Sequence, residues 1–180
     1  CCRRTASAFP QALPAAVKAI EEAEMIIFAP GSLYTSIIPN LLVDGIVQAV
    51  QRSNALKIYA CNIMTEPGET EGYTVSDHIR ALFNHSYQGL FNLCLANDAA
   101  IPRTVLQRYQ QEGADAIYCD RKVCEDLGVE IITRPVAAVE NSLVRHNPGH
   151  LARELMALHA ERTIRVVDKR NSYYYNNIKI

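Results

Sequence analysis

Apolar and polar positions along the chain switch between two periods. Leu13, Val17 and Ile20 share one face of a helix whose first turn carries Pro14, where the missing N–H is tolerated. Met25, Ile26, Ile27, Phe28 and Ala29 form an unbroken apolar run, short enough for a strand buried on both faces. Pro30, Gly31 and Ser32 end it as a turn. A second helix is expected from Pro39, with Leu41, Leu42, Ile46 and Val50 near helical spacing. Residues 57–61 read as the next strand and run into a polar loop, 62–74. A helix is expected over 76–85, with Ser76 or Asp77 as its N-cap. Residues 91–96 read as a third strand ending at Asn97. Pro102 opens a helix through Gln111, with Gly113 as its stop. Short strands are expected at 116–119 and 129–133. A last helix is expected over 148–160, with Leu151, Leu155 and Leu158 on its apolar face.

Strands alternating with helices define an α/β protein, with a mostly parallel sheet and helices on both faces. Residues 1–160 read as part of one domain, and 161–180 as a tail outside the pattern. The chain begins Cys1-Cys2-Arg3-Arg4 without a Met and reads as a piece of a longer protein. Its 18 Lys and Arg against 19 Asp and Glu give a net charge of −1, which disfavours a general nucleic-acid binder. No apolar run approaches the ~20 residues of a membrane helix. Of the six cysteines, Cys61 and Cys94 sit in apolar runs where a buried thiol is expected. Cys119 and Cys124 lack the spacing and neighbours of a zinc site. This usage fits a reducing, cytoplasmic setting.

In parallel sheets ligands sit beyond the carboxyl ends of the strands. The first strand ends in Gly31, Ser32, Thr35 and Ser36, a glycine and hydroxyl-rich turn leading into a helix. Its free backbone N–H groups would suit a phosphate. The same residues would serve equally as a turn and a cap, and no lysine follows to make a P-loop. The second strand ends in a loop with Asn62, Thr65, Glu69, Thr70 and Tyr73. Glu69 could accept from sugar hydroxyls or hold a metal. His78 falls within a helix, where a packing role is the simpler reading. Arg145 suits either a phosphate or a surface ion pair. No Ser/His/Asp triad, nucleophile elbow or metal-spaced histidine pair is present.

The run from Pro30 to Leu42 (PGSLYTSIIPNLL) resembles the signature of the bacterial gluconeogenesis factor family. So do Cys61-Asn62-Ile63-Met64-Thr65, Pro67-Gly68-Glu69-Thr70 and Gly72-Tyr73-Thr74, followed by Asp77-His78. That family is related to 2-phospho-L-lactate transferase in the CofD-like superfamily. The resemblance spans about residues 13–158 and implies a three-layer Rossmann-like fold and a cytoplasmic location. It also implies binding of a nucleotide sugar such as UDP-N-acetylglucosamine, with links to cell shape and carbon metabolism. The family's Gly-Gly-Gly-Thr-Gly run is missing, so the chain is expected to be a C-terminal portion. Carried over residue by residue, the resemblance makes the Gly31–Ser36 turn and the Asn62–Thr70 loop cleft walls. It also turns Tyr109 and Arg145 toward the ligand. Asn147 stands where the family usually has Asp, keeping a capping oxygen but losing a charge.

Two functions follow. The leading one is a regulatory protein that binds a nucleotide sugar, without a dedicated catalytic pair, and with a homodimer as a candidate assembly. The other is a phospholactate-type transferase, which would need Mg²⁺ held by carboxylates such as Glu69, Asp77 and Asp98.

Overall fold

The architecture follows from two apolar sheet faces that need covering. The computed structural model describes residues 10–176. Four parallel strands, β1 (Met25–Phe28), β2 (Leu56–Ala60), β3 (Leu93–Asn97) and β4 (Glu130–Arg134), lie in sequential order. Ile27 pairs with Ile58, Ile58 with Leu93, and Leu95 with Ile132. Each crossover passes through helix: α1 (Pro14–Glu22) precedes β1, and α2 (Ile38–Leu41) and α3 (Ile46–Arg52) follow it. Next come α4 (Val75–Asn84) after β2, then α5 (Arg103–Gln111) and α6 (Arg121–Asp126) after β3. A hairpin, β5 (Ala137–Glu140) and β6 (Leu143–His146), leads into α7 (Pro148–Asn176).

Side chains alternate across the sheet. Phe28, Tyr59, Cys94 and Ile131 face one side and pack with Ile38, Val50, Ile79, Leu82 and Phe91. Ile58, Leu93 and Leu95 face the other side, where Leu155 and Leu158 of α7 cover them. Burying each of those two leucines contributes roughly 1.5–3 kcal/mol. Helices on both faces make the fold the three-layer α/β arrangement the sequence pattern called for. A third, smaller cluster of Ile63, Met64 and Val144, with Leu106 and Tyr109 against it, lies where the hairpin meets the loop after β2.

Several local expectations are corrected. The helix expected from Pro39 is broken into α2 and α3, because Gly45 adopts φ +99° between them. The N-cap of α4 is Thr74, whose hydroxyl accepts from Asp77 N–H, while the Asp77 carboxylate accepts from Thr74 N–H. Ser76 and Asp77 lie inside the helix, which begins at Val75, and Ser76 N–H donates to Asp120 at 2.9 Å. Residues 116–119 form no strand: Ala116 makes one isolated bridge to Met64, and the chain then enters α6. The hairpin was not anticipated. Its two-residue turn, Asn141 and Ser142, has φ of 50° and 60°, the left-handed pair such a tight connection requires. The last helix continues to Asn176 rather than ending at Ala160. Gly113, at φ +82°, stops α5 as expected. The Cys1-Cys2-Arg3-Arg4 start and residues 177–180 lie outside the described residues.

Candidate functional site

The carboxyl ends of β1 and β2 are tied together by Asn62. Its Oδ1 accepts from Gly31 N–H at 3.1 Å, and its Nδ2 donates to Gly31 O at 2.9 Å. The loop after Asn62 is fastened below by Thr65, whose N–H donates to Asp115 O and whose hydroxyl accepts from Asp115 N–H, both at 2.8 Å. Thr70 is fully buried and accepts from Glu66 N–H at 2.9 Å. These hydroxyls build the loop.

The turn after β1 is organised by a carboxylate of the protein itself. The two oxygens of Glu69 accept from Leu33 and Tyr34 N–H at 3.1 and 3.2 Å. Residues Leu33–Ile37 form a single π-helical turn, and Glu69 sits at its amino end where an anion is favoured. Three of the N–H donors expected to receive a phosphate at this turn, those of Gly31, Leu33 and Tyr34, are therefore already engaged. Thr35 and Ser36 are exposed on the outer side. Ser32 donates to Glu66 Oε2 at 2.7 Å. Gly31 is not demanded by backbone strain: an added Cβ would meet only Ser36 Cβ, at 3.6 Å.

Behind this turn lies an aromatic chain. Tyr34 and Tyr73 share a hydroxyl contact of 2.9 Å, and Tyr73 packs edge-on against His78. The hydrogen bond to Tyr73, with burial, pushes the Tyr34 phenol up to about 12. His78 is fully buried, with Nδ1 at 2.8 Å from Thr74 O, and burial lowers its pKa. It packs rather than facing a ligand, and its Nε2 has no partner among the described residues.

Facing the Asn62 clamp is the hairpin. Tyr109 of α5 accepts from Val144 N–H at 2.9 Å, which pins β6 to α5. Arg145 follows on β6, exposed and with no carboxylate partner among the described residues. Its only hydrogen bond there is a 3.4 Å contact to Val144 O. His146 Nε2 lies 3.1 Å from Cys61 O and so donates to it, leaving Nδ1 as an acceptor. Burial lowers its pKa and keeps it neutral. Asn147 keeps its capping role, its Oδ1 accepting from His150 N–H at 2.9 Å.

Between clamp and hairpin lies a cleft of about 350 Å³. Gly31, Asn62, Thr65, Tyr109 and Arg145 all line it, so five sequence-predicted positions from four segments converge. Ser32, Thr35, Ser36, Glu69 and Thr70 do not line it. Glu66, Glu112 and His146 do, and were not singled out from the sequence. Glu66 was hidden inside a loop whose Glu69 looked equally available, and only the fold shows which carboxylate is consumed. His146 could have been suspected from its place beside Arg145.

Metal chemistry can be tested against the donors. Among the described residues, no three of His, Cys, Asp and Glu come together as a metal site. Asp77 is held by Thr74 and Arg80, and Glu69 by the turn. No helix among the described residues is long and apolar enough to cross a membrane.

The fold is thus a parallel α/β sheet with a cleft at its carboxyl edge, walled on one side by Arg145 of the hairpin. The family model described as 2-phospho-L-lactate transferase CofD matches residues 3–137. The gluconeogenesis factor of Bacillus subtilis is 40% identical over 146 residues, 81% of this chain and 46% of that protein. A Nostoc sp. relative is 47% identical over 149 residues, 82% of this chain and 33% of its own length. The crystal structure of a UPF0052 family member from Bacillus halodurans has a TM-score of 0.78 at 38% identity, covering 81% of this chain and 47% of that one. The chain belongs to the CofD family, alongside the proteins named gluconeogenesis factor. It spans between a third and about half the length of the relatives it matches.

Proposed function

We propose that the cleft binds a nucleotide sugar of the UDP-N-acetylglucosamine type, and that the whole protein is a cytoplasmic regulator of carbon metabolism and cell shape. The observation that carries this reading is Arg145, an exposed guanidinium on a cleft wall with no ion-pair partner among the described residues. A planar fork of donors matches phosphate oxygens in pairs. Glu66 complements it: Ser32 occupies Oε2, and Oε1 remains to accept from a ligand hydroxyl. His146 offers a neutral acceptor beside Arg145. Tyr109 holds the wall that carries the arginine. A homodimer remains part of the proposal for the whole protein.

The family match also favours a second reading, phosphoryl-group transfer of the kind the family model's description states. Incubation separates the two. The regulator reading expects UDP-N-acetylglucosamine to be bound with a Kd independent of Mg²⁺ and recovered intact. Mg²⁺-dependent release of a nucleotide product would favour transfer and contradict the regulator reading.

A further inference from the structure

We propose that a second hollow beside the cleft, at the carboxyl ends of β2 and β3, takes the uncharged sugar ring of the nucleotide sugar whose phosphates meet Arg145. This rests on the nucleotide-sugar reading of the first cleft. The hollow measures about 250 Å³, and Asn62 and Ile63 line both spaces. A ligand can therefore span the ridge these two residues form. The first cleft alone lies at the low end of the ~300–1,000 Å³ typical of small-molecule sites. A two-part ligand has use for the second space.

The chemistry of the two spaces differs in a way that orients such a ligand. The first has the Arg145 guanidinium. The hollow has apolar walls from Val75, Ile101, Leu106 and Ile117, and no cationic side chain lines it. The Asn97 carbonyl oxygen is taken, accepting from Ala99, Val136 and Ala137 N–H, and one Nδ2 N–H donates to Ala99 O, which leaves the second N–H as a donor. The acceptor is then Asp98, exposed, its carboxylate without a hydrogen bond or ion pair among the described residues. Its carboxylate accepts from hydroxyl or amide N–H groups, as Glu66 can in the first cleft, and only the first cleft adds a guanidinium to hold phosphate. The apolar walls suit the C–H faces of a sugar ring. Phosphate thus belongs on the arginine side and the hydroxyl-bearing ring on the Asp98 side.

The test uses calorimetric titration of UDP and of UDP-N-acetylglucosamine. The protein is the chain joined to the portion of the Bacillus subtilis gluconeogenesis factor that it does not span. Ala99→Leu fills the hollow. Asp98→Asn changes an exposed, unpartnered group and leaves the fold intact. Both variants are expected to bind UDP within about twofold of the parent and UDP-N-acetylglucosamine about tenfold more weakly. Equal binding of the sugar nucleotide by parent and both variants would overturn the subsite while leaving the cleft reading standing. Equal loss of both ligands would place the shared uridine portion there and overturn the sugar assignment. A parent that binds neither ligand removes the cleft reading and the subsite together.

Discussion

Tyr109→Phe removes one oxygen and keeps the ring. In the fold that oxygen accepts from Val144 N–H at 2.9 Å, and Val144 is 4% exposed. The phenylalanine ring still fills its place against Ile63, Met64 and Val144, so no cavity opens. The cost is then that of a buried N–H left without an acceptor, about 1–3 kcal/mol. The loss falls on the hairpin, since the freed N–H belongs to β6 and Arg145 is the next residue. Urea unfolding at neutral pH, with the slope held in common, measures it directly. The same variant tested for nucleotide-sugar binding should lose affinity through a less well held Arg145. If Tyr109 instead acts only by stacking its ring on the ligand, the substitution will be silent in both assays. A stability change below about 0.3 kcal/mol together with unchanged affinity would refute the pinning argument.

Other substitutions probe the clamp and the turn. Asn62→Ala removes both contacts to Gly31 and should cost about 1–3 kcal/mol in urea unfolding, with the isosteric Asn62→Asp unable to restore the donated bond. Glu69→Ala leaves Leu33 and Tyr34 N–H groups unpaired and should destabilise by a similar ~1–3 kcal/mol; a neutral result would mean water replaces the carboxylate. Burial lowers the pKa of His78 and His146, so folding keeps them neutral while the unfolded chain takes up protons near its ordinary ~6.5. Their contribution is complete above that value and is lost as pH falls below it. Urea midpoints should therefore drop between pH 7.5 and 5.5, and His78→Gln should flatten the drop. Equal slopes in parent and variant would exclude His78 as a source.

Much of the fold was legible because apolar runs leave a plain mark. The runs 25–29 and 91–96 read as strands and are seen as Met25–Phe28 and Leu93–Asn97, and Leu155 and Leu158 read as the face of a covering helix. The first strand was expected to be buried on both faces, but Ile27 is 38% exposed. The hairpin was harder to see. Its outer residues Val139 and Leu143 are about 40% exposed, at 39% and 40%, so neither burial nor alternation marks the strands. The break between α2 and α3 turns on a single positive φ at Gly45, within a run whose apolar spacing suits one helix. In the site, Arg145 was a candidate from its residue type, with a surface ion pair as the alternative, and the family resemblance added Tyr109; the fold places both on one cleft. The role of Glu69 could not be read locally. Its partners, Leu33 and Tyr34, lie 36 and 35 residues earlier, and only tertiary structure brings a carboxylate onto those N–H groups.

The most direct measurement is calorimetric titration of UDP-N-acetylglucosamine into the chain joined to the remainder of the Bacillus subtilis gluconeogenesis factor, with Arg145 intact and as Arg145→Ala. Arg145 is exposed and has no ion-pair partner among the described residues, so its removal leaves the fold standing. The account predicts saturable binding by the parent and a loss of about tenfold or more in the variant, the scale of a charge-assisted bond to phosphate. Equal affinities would contradict the placement of the phosphates at the hairpin, and no heat from either protein would contradict nucleotide-sugar binding itself.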